Sequence, residues 1–353
     1  MAQDFTMYVG TVGGGLSVSA DGGETFKHTS PILGTLPPSE CDVRAITVYP
    51  NDPDRVLAGT NAGIYRSESR GATWELLDSP MNTEWPARSN RASAEWPLQN
   101  VEIWSVAVDP VDPDIIFAGT RPGAFRSTDD GQTWDELPLN VRMNGPIGTP
   151  RTTIMLIDPR DHRTIWAGTE VDAMYRSTNG GDAWDRLTDV GPQRMAGDIH
   201  GLAVKAGEPT TIYCTTPHGF SASTDEGESW DLHEFPKFDD PDWRPGDGSA
   251  YCRTIFLKPD DPDVILVGTG NTIPGDIGAI RRSRDGGKTW DAPALPVTPN
   301  SVLYGFGWHA AMPDTIAAHS VHGYLYLSDD GGESWGKLQK EFGHIRAVAL
   351  SPN

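Results

Sequence analysis

The chain has 353 residues, and its 49 acidic against 28 basic side chains give a formal charge of −21, which argues against nucleic acid or an anionic membrane as a partner. A hydrophobic content of 37% with 12 tryptophans is enough for a sizeable core. The N-terminus lacks a signal-peptide pattern, no stretch reaches transmembrane length, and three cysteines are too few for a disulfide scaffold, so we expect a cytoplasmic location.

The first strands begin close to the N-terminus. Residues 6–30 read as two strands around a glycine turn at 13–15, then a Ser-x-Asp-x-Gly-x-Thr-aromatic motif, then an outer strand. The following unit is complete, with strands predicted over 43–49, 55–60, 64–67 and 74–77 and a copy of the motif between the last two. Four short strands per unit is the composition of a propeller blade.

The motif occurs seven times, with 45 to 60 residues between successive copies, which is typical of a repeat architecture. Within it the Asp can accept backbone N–H groups, and the Gly adopts a conformation that a Cβ would disfavour. Two copies depart from the pattern, because Ser69 and Asn179 stand where Asp is expected. The seven copies begin at Ser19, Ser67, Ser127, Ser177, Ser223, Ser283 and Ser328.

The pattern of strands recurs until the last residues, where 343–353 reads as an inner strand with no second strand after it. The first unit lacks this inner strand, so the C-terminus can supply it and leave no unpaired edge. We therefore predict an all-β fold, a seven-bladed β-propeller of four-stranded antiparallel blades closed by the C-terminal strand, with 1–353 as a single domain.

The motif resembles the Asp-box, or BNR repeat, of sialidases, xyloglucanases, sortilin-type receptors and Ycf48-type photosystem II assembly factors. The resemblance implies the propeller fold for the whole chain. It leaves the function open, because these relatives include glycosidases, receptors and assembly factors. We expect all seven motifs to be structural and none to be catalytic.

Long connections fall on one face of the predicted ring. Long loops on one side of a rigid scaffold usually build a binding site. The aromatics Trp85, Trp96 and Trp243 on this face could stack on sugar rings or simply pack the loops. The long connections are 78–100, 137–150, 188–198, 235–250 and 270–278.

Alignment of the inner strands places one residue of each blade at the channel mouth on this face. Several arginines there suggest an anionic small molecule or oligosaccharide as ligand, unless each pairs with a nearby acid, as Arg44 could with Asp42 or Arg151 with Glu170. The aligned residues are Arg346, Arg44, Trp104, Thr153, His200, Arg253 and Tyr304. The candidate substrate-binding residues are Arg44, Trp104, Arg121, Arg151, Arg253, Tyr304 and Arg346.

Acids, histidines and a tyrosine near the same mouth are candidates for chemistry. The candidate catalytic residues are Asp42, Glu102, His200, Tyr251 and His344. Imidazoles that converge with a carboxylate could instead hold a divalent metal ion, although no local spacing matches a strong metal motif and no other cofactor is indicated. The candidate metal ligands are His200, His218, His319, His322 and Glu170.

Three functions are compatible with these residues. The first is a carbohydrate-active enzyme of the glycoside hydrolase type that acts on an anionic sugar; here the resemblance to sialidases implies an arginine trio, Arg44, Arg253 and Arg346, although the sialidase Arg-Ile-Pro motif is absent. The second is a lyase or a metal-dependent hydrolase that uses His, Tyr and Arg on the same face. The third is a non-catalytic binding or assembly module of the Ycf48 type.

Overall fold

The computed structural model describes residues 4–29, 42–82, 101–142 and 149–353. It confirms the predicted fold, in which seven antiparallel sheets form the blades of a β-propeller ring. The described part of the chain contains no α-helix, and hence no helix that could span a membrane.

Each blade is built from up to four strands that run from the channel outward. The innermost strands are β4 (Val43–Tyr49), β8 (Glu102–Val108), β12 (Arg151–Ile157), β16 (Gly201–Lys205), β20 (Tyr251–Leu257), β23 (Leu303–Gly307) and β27 (Ile345–Pro352). The second strands are β1 (Phe5–Thr11), β5 (Asp52–Thr60), β9 (Ile116–Arg121), β13 (Ile165–Glu170), β17 (Thr211–Thr216), β21 (Ile265–Gly270) and β24 (Ile316–Ser320).

The outer half of each blade is a hairpin whose turn carries the repeated motif. The third strands are β2 (Gly15–Ser19), β6 (Ile64–Ser67), β10 (Ala124–Ser127), β14 (Met174–Ser177), β18 (Gly219–Ser223), β22 (Gly278–Ser283) and β25 (Leu325–Ser328). The short outermost strands are β3 (Lys27–His28), β7 (Glu75–Leu76), β11 (Asp135–Glu136), β15 (Asp185–Arg186), β19 (Asp231–His233) and β26 (Gly336–Lys337). In the sixth blade a single bridge between Arg282 and Asp291 stands in place of this strand.

The ring closes as the sequence predicts. Strand β27 pairs antiparallel with β1 over almost its whole length, so the first blade has the order β27-β1-β2-β3. Seven clusters of buried apolar side chains fill the seven seams between adjacent blades. The cluster between the first and last blades joins Val9 of β1 to Leu325 of β25 and Leu350 of β27. The apolar core is therefore a ring of inter-blade contacts around an open channel.

Candidate functional site

Backbone bulges direct a side chain from almost every blade toward the channel. At the start of six inner strands, the ladder with the second strand skips one residue. A skipped residue has no partner opposite it, and the local kink re-aims its side chain. In the fifth blade, which lacks the bulge, His200 directly precedes β16. The skipped residues are Arg44, Trp104, Thr153, Arg253, Tyr304 and Arg346.

These seven side chains line one cavity of about 280 Å³. The structure thus brings together all seven residues that alignment of the inner strands placed at the channel mouth. No aspartate or glutamate lies among the described lining residues. The other candidate residues near the mouth lie outside this lining; they are Asp42, Glu102, Arg121, Arg151, Glu170, Tyr251 and His344.

Arg44 is held by two carboxylates on one side of the cavity. Its Nη2 lies 2.7 Å from Asp42 Oδ2 and 3.5 Å from Glu102 Oε1, and its guanidinium stacks over the Trp104 ring at 4.3 Å. Asp42 is buried and also accepts the backbone N–H of Gly13 at 2.9 Å. The Arg44–Asp42 pair that the sequence suggested is therefore formed, and Glu102 is the more accessible of the two acids, with a side chain 19% exposed.

Glu170 lies buried between two arginines. Its Oε1 accepts a hydrogen bond from Arg253 Nη1 at 2.5 Å, and its Oε2 accepts one from Arg151 Nη1 at 2.9 Å. Burial by itself would raise the pKa of Glu170, but the two guanidinium charges outweigh it and hold the pKa at about 2. Glu170 is therefore ionised near neutral pH, and each of its two oxygens binds an arginine.

Tyr304 lies between the guanidinium groups of Arg253 and Arg346 in the cavity wall. Its hydroxyl oxygen accepts a hydrogen bond from Arg253 Nη2 at 2.6 Å, and the Arg346 guanidinium stacks over its ring at 4.8 Å. Burial would raise the pKa of Tyr304, yet the charges of Arg253 and Arg346 lower it below its usual value. Tyr304 is thus the phenol in the cavity most suited to lose its proton.

Arg346 differs from the other two cavity arginines. Within the described ranges Arg346 forms no ion pair, whereas Arg44 pairs with Asp42 and Arg253 pairs with Glu170. Its Nε, like that of Arg44, is buried without a hydrogen-bond partner. Because Arg44 and Arg253 are each matched by buried acids, Arg346 supplies the excess positive charge of the cavity wall. An anionic group of a ligand would complete its pairing.

His200 is fixed by contacts at both ring nitrogens. Its Nδ1 lies 2.7 Å from the carbonyl oxygen of Cys252, so this nitrogen carries a proton and donates it. Its Nε2 lies 3.1 Å from Asp198 Oδ2 and 3.2 Å from the Tyr251 hydroxyl. Only Nε2 can therefore exchange a proton. Asp198 and Tyr251 contact this nitrogen, so they influence the cavity by way of His200.

The predicted metal site is not assembled. Among the residues that the structure describes, no three His, Cys, Asp or Glu side chains are placed to hold a metal ion together. His218 Nε2 contacts the carbonyl oxygen of Arg194 at 2.6 Å, and the His322 ring stacks on His344 at 5.2 Å. His319 is buried beside Tyr304, and burial lowers its pKa to about 3.

The remaining predicted residues have other surroundings. Arg121 ends β9 opposite Glu102, and burial together with the charge of Arg151 lowers its pKa. Trp243 donates its indole N–H to the carbonyl of Gly248 at 2.7 Å, so it packs its own loop. Trp85 and Trp96 lie outside the described residues.

The fold and this mouth define a seven-bladed β-propeller with a cation-lined cavity on its axis. No family model matches the chain. It is 26% identical over 338 residues to a probable oligoxyloglucan-reducing end-specific xyloglucanase of Neosartorya fischeri, covering 83% of this chain and 38% of that protein. It is 25% identical over 366 residues to a xyloglucanase of Paenibacillus sp., covering 88% of this chain and 33% of that protein. The chain thus spans 33–38% of the length of these xyloglucanases.

A second kind of relative is matched over most of its own length. The chain is 24% identical over 302 residues to the photosystem II assembly lipoprotein Ycf48 of a Synechococcus strain, covering 84% of this chain and 75% of that protein. Among solved structures, a xyloglucanase from Xanthomonas campestris matches with a TM-score of 0.62 and 18% identity over 97% of this chain and 52% of its own. Ycf48 from Cyanidioschyzon merolae matches with a TM-score of 0.56 and 17% identity, over 88% of this chain and 95% of its own. These structures share the fold.

Proposed function

We propose that the chain is a carbohydrate-active enzyme that binds the carboxylate of an acidic sugar in the mouth cavity. The observation that carries the proposal is Arg346, a cation without an ion-pair partner among the described residues, in a cavity that also holds Arg44 and Arg253. Guanidinium groups bind carboxylates through paired hydrogen bonds. The similarity to xyloglucanases supports a saccharide as the ligand class.

The cavity favours elimination over hydrolysis as the cleavage reaction. Hydrolysis by the usual mechanism needs two carboxyl groups on opposite sides of the scissile bond. No acid lines the described cavity, and Glu170, with a pKa of about 2, cannot donate a proton near neutral pH. Glu102 is the one nearby acid with appreciable exposure, so a hydrolytic route would depend on it.

Tyr304 supplies the base that elimination needs. Arginines beside the sugar carboxylate acidify the proton on the adjacent carbon, and the Tyr304 phenolate removes it. A carbon–carbon double bond forms, the bond to the glycosidic oxygen breaks, and that oxygen takes up a proton. His200 lines the same cavity, and its imidazolium form, which carries a proton on each ring nitrogen, would supply this proton from Nε2 and become the neutral imidazole.

The test is a panel of uronate oligosaccharides and neutral xyloglucan oligosaccharides. Elimination creates an unsaturated uronate that absorbs in the ultraviolet, whereas hydrolysis creates reducing ends without this absorbance. We expect Tyr304→Phe to lower kcat by about 10²–10⁴-fold. We expect Arg346→Met to raise KM for acidic substrates by about tenfold or more. Arg281→Met, which removes an arginine that does not line the cavity, is the control.

The pH dependence of the rate separates a catalytic from a structural Tyr304. Because the phenolate is the active form, the rate should rise with pH toward the pKa of Tyr304. Arg346→Met removes one of the two cations that lower this pKa, so the rising limb should move to higher pH. Turnover of neutral oligosaccharides alone, or a limb that does not move, would contradict the proposal.

A non-catalytic binding module is the second candidate. It is supported by the similarity to the Synechococcus Ycf48, 75% of which is matched, against 38% of the Neosartorya xyloglucanase. In this case carboxylate-bearing ligands would bind in a way that depends on Arg346, with no product from any saccharide. Calorimetric titration of the same panel distinguishes the two candidates.

A further inference from the structure

Four seams between blades are fastened by an arginine at the same position. This residue immediately precedes the serine of the repeated turn and reaches the turn of the next blade. Arg126 Nη1 donates to the Gly180 carbonyl at 2.6 Å and to Asp182 Oδ1 at 2.8 Å. The other three are Arg66, which contacts the Asp130 carbonyl at 3.0 Å, Arg176, which contacts Glu226 Oε2 at 2.6 Å, and Arg282, which contacts the Gly332 carbonyl at 2.7 Å. We call these four residues the seam arginines.

The seam between the seventh and first blades has a leucine, Leu327, at this position. A cavity of about 510 Å³ opens there, larger than the cavity of about 280 Å³ at the channel mouth. Its lining combines the turn of the first blade with strands of the seventh, namely Asp21, Gly22, Gly23, Glu24, Leu327, Lys337, Leu338 and Gln339. The cavity therefore occupies the place that a seam arginine fills in four other blades.

The turn that lines this cavity has hydrogen-bond acceptors that receive no hydrogen bond within the described ranges. In several other turns the closing tryptophan donates its indole N–H to the glycine carbonyl, as Trp134 does to Gly131 at 3.1 Å. The first turn closes with Phe26, which has no such donor. Within the described ranges, nothing donates to the Gly22 or Gly23 carbonyl, and Glu24 forms no ion pair.

The two other seams that lack an arginine are filled differently. At the seam that follows the first blade, Val18 packs close to Gly71, whose carbonyl accepts the Trp74 indole N–H at 3.0 Å. At the seam that follows the fifth blade, the Tyr213 hydroxyl donates to the Gly286 carbonyl at 3.4 Å. Among the described residues, the seam beside Leu327 combines space with acceptors that receive no hydrogen bond.

We propose that this seam cavity is a docking site for an arginine side chain presented by a partner protein. Gly22 and Glu24 occupy the turn positions that correspond to Gly180 and Asp182, which bind the Arg126 guanidinium in the fourth blade. The formal charge of −21 attracts a basic segment toward the surface. Lys337 does not cancel Glu24, because its ammonium pairs with Glu341 at 2.7 Å.

The test is calorimetric titration of the whole chain with a short blocked peptide that contains one arginine, compared with the same peptide containing citrulline. Citrulline keeps the shape of arginine but loses the charge. We expect saturable binding of the arginine peptide and none of the citrulline peptide. Leu327→Arg should abolish binding, because the new side chain occupies the cavity as the seam arginines do, and it should raise Tm.

Two further variants keep the proposal falsifiable if Leu327→Arg does not fold. Glu24→Gln should weaken peptide binding by about tenfold, the effect expected for loss of one charge-assisted hydrogen bond. Glu228→Gln changes the corresponding turn position of the fifth blade, next to the Arg176–Glu226 pair, and should leave binding unchanged. Failure of the wild-type chain to bind, equal binding of both peptides, or equal losses in the two glutamine variants would overturn the proposal.

Discussion

At the scale of single residues, the charge of the channel mouth depends on which arginines form ion pairs with acids. Sequence reasoning offered Arg44–Asp42 and Arg151–Glu170 as pairs, and both are formed at 2.7 and 2.9 Å. It did not predict that Glu170 also binds Arg253, because the two residues lie 83 positions apart in different blades. Ion pairs between residues that are close in the chain or on adjacent strands can be predicted from a sequence. Contacts between blades that are not adjacent cannot, because they depend on the diameter of the ring.

Glu170 offers a prediction at this scale. Glu170→Gln keeps the shape of the side chain but leaves Arg253 and Arg151 without their buried anion, so we expect a loss of about 3–5 kcal/mol in the free energy of unfolding. The pKa of Glu170 falls from 4.5 to about 2 in the folded chain. Its stabilisation is therefore complete above pH 4.5 and is lost as the pH falls through 2.

Urea denaturation of the wild type and the variant at several pH values provides the measurement. The stability gap between them should be full near neutral pH and should narrow below pH 4.5. Glu68→Gln is the control, since Glu68 pairs with Arg55 and Arg66 but its side chain is 56% exposed. This exposed carboxylate should contribute less than about 1 kcal/mol. A gap independent of pH would show that Glu170 does not act through its charge.

At the scale of elements, the repeated turn is held by a short hydrogen-bond network. In the third blade, Ser127 Oγ donates to Asp129 Oδ1 at 2.8 Å and accepts the Gly131 N–H at 2.8 Å. The Asp129 carboxylate in turn accepts the Thr133 N–H at 2.8 Å and the Thr133 hydroxyl at 2.6 Å. Gly131 has a positive φ of 78°, which explains the glycine in the motif. The serine, aspartate, glycine and threonine of the motif thus each have a physical role in the turn.

The two irregular turns provide a matched comparison. Ser69 accepts the Thr73 N–H at 3.0 Å and contacts the Thr73 hydroxyl at 2.9 Å, so Ser69→Asp should gain the full carboxylate network and raise Tm by about 2 °C. Asn179 already accepts the Ala183 N–H at 2.9 Å, and Ala183 has no hydroxyl for a second oxygen. Asn179→Asp should therefore leave Tm nearly unchanged in differential scanning calorimetry. Equal shifts would mean that the threonine hydroxyl does not matter.

Strands and turns could be predicted from the sequence, but the bulges could not. Alternating apolar residues and turn glycines indicated where most strands lie, for instance 43–49, which matches β4 (Val43–Tyr49). A bulge adds one residue to a ladder without a composition signal, because it depends on how the inner strand bends at the channel. Alignment nevertheless found the same positions, because five of the six bulged residues lie six positions before a proline, and the inner strands were aligned on this proline or its equivalent.

At the scale of the whole molecule, the number of blades followed from counting motifs, and ring closure followed from a missing strand. The closing strand β27 buries Ile345, Val348 and Leu350 in the seam between the last and first blades. Strand β27 also carries Arg346 to the cavity. Stability and the candidate site are therefore coupled through one strand. What the sequence could not predict is which seam stays open, because that depends on whether side chains from two blades meet.

Removal of residues 345–353 tests this coupling. Without β27, strand β1 becomes an exposed edge and the apolar seam opens to water, so we expect the shortened chain to lose cooperative thermal unfolding. A synthetic peptide of residues 345–353 should restore the transition when added in trans, because it supplies the eight-residue strand that pairs with β1. The same peptide with Arg346→Met should restore folding but not binding of an acidic saccharide, whereas a peptide of scrambled sequence should restore neither. A shortened chain that unfolds as cooperatively as the full one would contradict the role assigned to β27, since ring closure would then contribute little to the stability of the propeller.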